Sequence, residues 1–96
     1  MPKLGDDLFG YSIFCWSNEN DPLEPLHVHI AKKPRKNATK IWILSDGTTR
    51  VESNGSNIPS DELKLICRAI ERNPFSYVAR WEKHFQTKAT FIDEKI

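Results

Sequence analysis

No stretch of this chain is apolar for long enough to span a membrane as a helix, which takes about 20 such residues. The N-terminus carries no apolar segment of the secretory-signal type. Cysteine is scarce. Cys15 sits in an aromatic run and Cys67 on the apolar stripe of a helix, so the pair reads as two small buried hydrophobes in a reducing compartment, not as a disulfide framework. These absences make the cytoplasm the default location. An excess of one charge is also missing: 14 basic and 13 acidic residues nearly cancel, so global charge gives no attraction to nucleic acid, membrane or acidic substrates. There is no glycine-rich phosphate loop, no Ser/His/Asp arrangement and no internal repeat.

What the chain does have is apolar and aromatic surface. At 96 residues and 39% apolar, with 10 aromatics, it can close one core without staples, which argues a single domain with an ordered part over residues 8–86 and flexible ends. Residues 8–17 (LFGYSIFCWS) read as a first strand, with Gly10 marking a bulge or a close backbone approach. The prolines of residues 18–25 make a loop. Residues 26–31 (LHVHIA) alternate strictly, which puts Leu26, Val28 and Ile30 on one face of a half-buried strand and His27, His29 and Ala31 on the other.

A basic loop follows at residues 32–37, then a strand at 39–44. Asp46-Gly47 signals a primed hairpin turn into a fourth strand at 48–53. Asn54-Gly55 breaks the sheet. Ser60 is the expected cap of a helix whose stripe is Leu63, Ile66, Cys67 and Ile70. Asn73-Pro74 starts a second helix with Phe75, Val78, Trp81 and Phe85 on one side, and residues 87–96 lose the pattern. Strands first and helices last imply an α+β fold: a four-stranded, mainly antiparallel sheet with two helices packed on one face.

Several of these segments resemble the domain-of-unknown-function family 4160. The resemblance rests on Gly10-Tyr11, Ser17-Asn18-Glu19, Glu24-Pro25-Leu26-His27-Val28-His29, the run 38–44 (ATKIWIL), Asn54-Gly55, Glu62-Leu63 and Trp81. Members often carry a second proline where Leu26 stands, and a shorter stretch where this chain has its basic loop. They are small prokaryotic proteins, often encoded beside another short protein in an arrangement similar to toxin–antitoxin pairs. The resemblance therefore implies a small partner protein encoded nearby, and no activity.

Two groups of residues could carry chemistry. His27 and His29 point to one side of their strand, with Glu24 and Glu19 near in sequence. Such a set could bind a divalent metal with an open position, or act as acid and base in cleaving RNA. The plainer reading is a polar strand face bonded to its neighbours. The second group is Lys32, Lys33, Arg35, Lys36 and Lys40, five cations in nine residues, suited to neutralising nucleic-acid phosphates or simply to keeping the loop solvated. Trp42 and Trp81 read as core. The expectation is a binding protein of a two-protein module that contacts a partner protein and, through the basic loop, nucleic acid. The alternative is a His- or metal-dependent nuclease, and homo-oligomerisation through open sheet edges is a third reading.

Overall fold

The alternating residues 26–31 form the middle of the molecule in the computed structural model, which describes residues 2–17 and 23–94. The elements are β1 (Ser12–Phe14), β2 (His27–Ala31), β3 (Thr39–Ile43), β4 (Thr49–Ser53), α1 (Ser60–Arg72) and α2 (Pro74–Phe85). The strands lie in the order β1-β2-β3-β4 and every neighbouring pair is antiparallel. This is the expected α+β arrangement. No helix among the described residues is long and apolar enough to cross a membrane.

Register explains the two faces. Ile13 pairs with Ile30 and Val28 with Ile41, so these side chains share one face. That face meets Ile66 and Ile70 of α1 and Tyr77 and Trp81 of α2 in the main core. Phe14 pairs with His29, and His27 with Trp42, which sets these four on the opposite face.

The local structure departs from the sequence expectation where backbone conformation intervenes. Residues 8–17 are not one strand. Phe9 and Gly10 both have positive φ, and Leu8 and Tyr11 exchange two backbone hydrogen bonds, so residues 8–11 form a tight turn ahead of β1. Gly10 serves that turn: a Cβ there would meet nothing within 4 Å. The β3–β4 hairpin has a three-residue loop rather than a primed two-residue turn. Gly47 N–H donates to Leu44 O, Leu44 N–H donates to Thr48 O, and Gly47 sits at φ +86. Ser60 is the first helical residue and not the cap, which is Pro59, whose ring carries no hydrogen-bonding group. Asn73 does occupy the N-cap of α2, but its side chain makes no capping bond, and its backbone N–H donates to Ile70 O.

On α2, Phe75 is 80% exposed and Tyr77 takes the buried place expected for it. Tyr77 and Trp81 lie one turn apart on the core side of the helix, and Phe75, about 200° around the axis from Tyr77, is turned to solvent.

The described residues before β1 and after α2 make contacts with the sheet. Pro2 O accepts from Cys15 N–H, Leu4 N–H donates to Ile13 O, and Leu4 is a core residue. Thr90 O accepts from Leu26 N–H, Asp93 holds the N–H and hydroxyl of Ser45, and Phe91 packs against the core.

Candidate functional site

The histidine face fulfils half of its expectation. The two imidazoles do share a side of β2, their ring centroids 5.0 Å apart and their planes nearly perpendicular. They are not at an open surface, however: His27 is 3% and His29 7% exposed. The alternation that turned them away from the helices turned them into a second apolar layer. His29 stacks on Phe14 at 5.8 Å and lies 6.3 Å from Trp16, while His27 meets Trp42 edge-on at 5.3 Å. Nδ1 of His27 lies 2.9 Å from Pro25 O. A carbonyl only accepts, so the proton sits on Nδ1 and Nε2 is turned to the Glu24 side, 3.7 Å from Oε2.

Glu24 itself is engaged by Lys40, whose ammonium donates to both carboxylate oxygens at 3.1 and 3.2 Å and rests 4.3 Å from the Trp42 ring. The Glu24 carboxylate beside His27 is therefore already paired within the chain. Glu19 lies outside the described residues. Among the described residues, no group of three or more His, Cys, Asp or Glu side chains is placed to hold a metal ion. His84 is an exposed residue of α2, in contact with Phe85.

The basic residues divide. Lys40 belongs to β3 and to the histidine face, because its register partner is His29. Lys32, Lys33, Arg35 and Lys36 stay together on the exposed β2–β3 loop. Three of them border a cleft of about 580 Å³: Lys32, Lys33 and Arg35 come from that loop, and Ser56, Asn57 and Pro59 from the β4–α1 loop, with Tyr11 and Glu62 completing it. Tyr11 donates to Glu62 Oε2 at 3.1 Å, and the Lys32 ammonium lies 5.7 Å from the Tyr11 ring. Desolvation, then the bond to the Glu62 carboxylate, push the Tyr11 phenol above its ordinary pKa, so it stays neutral there. The cleft reaches Pro59, where α1 begins with no side-chain cap on its first N–H groups.

The two loops are held together from below. Thr39, fully buried, donates through Oγ1 to Asn54 Oδ1 at 2.6 Å and accepts from Ser56 N–H at 3.2 Å. Ser56 Oγ accepts from Thr39 N–H and donates to Ile30 O, and the Asn54 amide closes on both the N–H and the carbonyl of Ile58. Gly55 approaches Asn37 so closely that a Cβ would fall 1.8 Å from Asn37 O. The segments that carry the family resemblance, residues 38–44 and Asn54-Gly55, are thus the ones that lock the basic loop to the start of α1.

A family model, "Domain of unknown function (DUF4160)", matches residues 10–82. The chain belongs to this family. Its matched region runs from the turn before β1 into the last turn of α2, so the DUF4160 domain contains the histidine layer, the clasp and the cleft. Neither the curated proteins nor the solved structures gave a match to the chain.

Sequence reasoning found the cations of the cleft but not Tyr11, Ser56, Asn57 or Glu62. These come from three separate segments, and only the Asn54-Gly55 break hinted that the β4–α1 loop would turn back on the sheet.

Proposed function

We propose that this DUF4160 protein is a non-catalytic binding module of a two-protein, toxin–antitoxin-like unit, and that its cleft takes a segment of nucleic-acid backbone. The observation that carries this reading is the convergence of Lys32, Lys33 and Arg35 on a cleft of about 580 Å³ beside the start of α1. That volume falls in the range of roughly 300–1,000 Å³ typical of ligand sites. Cations on one side, hydroxyl and amide groups of Ser56 and Asn57 on the other and a phenol between suit phosphate and sugar more than a base-specific contact. The partner protein is supported by the family's resemblance to paired gene arrangements. The hydrolase reading ranks second, because buried imidazoles and a lysine-paired Glu24 give substrate no approach.

Fluorescence anisotropy with single-stranded RNA and DNA tests the cleft. Three neutralised phosphates give a log–log salt slope near −2 for single strands, at about −0.7 each. Lys32→Ala or Arg35→Ala lowers affinity for all sequences and flattens the slope by about 0.7, while Lys40→Ala, on the other face, leaves the slope unchanged. Equal slopes for all three variants would refute the assignment. Co-expression with the neighbouring gene product followed by gel filtration tests the partner, and separate elution argues against the two-protein unit. Chelator-sensitive cleavage of RNA that disappears in a His27→Ala/His29→Ala variant would restore the enzyme reading.

A further inference from the structure

We propose that β4 is a self-pairing edge: two copies of the chain join antiparallel about a twofold axis at Val51, setting Arg50 of each against Glu52 of the other. The two margins of the sheet are unlike. Beyond β1, residues 2–4 add backbone bonds to Ile13 and Cys15 and close that side. Among the described residues β4 has only β3 beside it, and its residues 50–53 are exposed.

Along the outer side of β4 the first amide is taken within the chain and the next is turned to a second copy. Thr49 N–H leaves the ladder to donate to Glu71 Oε2. Two residues later, Val51 N–H points the same way, since amide direction alternates with period two. Val51 is 39% exposed and borders an apolar groove of about 310 Å³ with Leu63 and Cys67 of α1. A second Val51 covers that groove from the side.

The strand is self-complementary in one register. With the axis at Val51, Val51 faces itself and Arg50 faces Glu52, the residue that the β3–β4 register skips, so both charge pairs are unlike. Glu52 uses Oε1 to accept from Trp42 Nε1 at 2.8 Å and has Oε2 for the arginine. The same axis acts on α1, which runs back along β4: Glu71 sits over Thr49, and Leu63 borders the groove by Val51. Exchange of the two ends brings Lys64 toward Glu71 of the second copy. Two layers of the fold thus favour the same register.

Analytical ultracentrifugation of the full chain, from roughly 10 µM to roughly 1 mM, spans the range where a short and partly polar interface associates. The expected result is a concentration-dependent dimer. Arg50→Glu and Glu52→Arg each turn two attractions into two repulsions and weaken self-association by about tenfold or more. Mixed together, those two variants set unlike charges against each other again at both contacts, and the mixture dimerises. Lys64→Glu, outside the strand, weakens the dimer through Glu71. Circular dichroism establishes that each variant is folded. A single-chain mass throughout the range overturns the proposal. So does a dimer that survives both strand variants, or a mixture that fails to re-associate while each component is folded.

Discussion

Replacing Thr39 by valine removes one oxygen from the centre of the molecule and should loosen a surface it does not touch. The substitution keeps the side-chain shape, and Thr39 has no exposed area. Its hydroxyl donates to Asn54 and accepts from the Ser56 N–H. Two neutral hydrogen bonds are worth about 1 kcal/mol each, and the Ser56 N–H left without its acceptor costs about 1 kcal/mol more. The buried methyl that replaces the hydroxyl returns about 0.8 kcal/mol. The balance is a loss of about 2 kcal/mol, or a fall in Tm of roughly 8–16 °C for a domain of this size. Urea unfolding followed by tryptophan fluorescence measures it. Ser56→Ala breaks the reciprocal bonds to Thr39 N–H and Ile30 O, so the double variant should lose less than the sum of the singles. A change below about 0.5 kcal/mol for Thr39→Val, or strict additivity with Ser56→Ala, would refute the clasp. Nucleic-acid affinity should also fall, although neither cation nor backbone of the basic loop has been altered.

Phe9→Asn should stabilise the protein by about 1 kcal/mol, because Phe9 is 56% exposed and holds φ +52, a conformation asparagine tolerates better; a lowered Tm would contradict this. Gly55→Ala should cost about 2 kcal/mol or more and weaken binding at the cleft, since its Cβ must displace the backbone of Asn37; wild-type stability would show that the approach is not close in solution. Bonds from the Ser45 hydroxyl, then from its N–H, hold the Asp93 carboxyl below its ordinary pKa. Its contribution is therefore complete above the unfolded-state pKa near 3.8 and disappears as pH falls through the lower folded value. In Asp93→Asn the acid limb of the stability–pH curve should be shallower, and an unchanged limb would remove Asp93 from that transition.

The order of elements was legible because period-two alternation at residues 26–31 and the Leu63–Ile66–Ile70 stripe each point to a single secondary structure. What could not be read was the second face of the sheet. Alternation shows that His27 and His29 lie opposite Val28 and Ile30, but not that Phe14, Trp16 and Trp42 stand beside them. That depends on register between strands distant in sequence. Lys40 illustrates the same limit: adjacent in sequence to the basic loop, it is carried to the other face by one residue of strand parity and neutralised by Glu24. Turn chemistry failed at Phe9, an exposed residue that takes a positive φ beside Gly10 so that Leu8 and Tyr11 can pair, although local preference disfavours it. The contacts of Leu4 and Phe91 were unreadable for a simpler reason: Leu4 joins the core, and Phe91 packs against it, only once the sheet exists to receive them.

The short backbone pairing of residues 2–4 with β1 bears on how this chain behaves at high concentration. With residues 2–4 covering β1, the long open edge lies on the β4 side alone, and two copies that pair there use up that edge in each, which disfavours growth into a fibre.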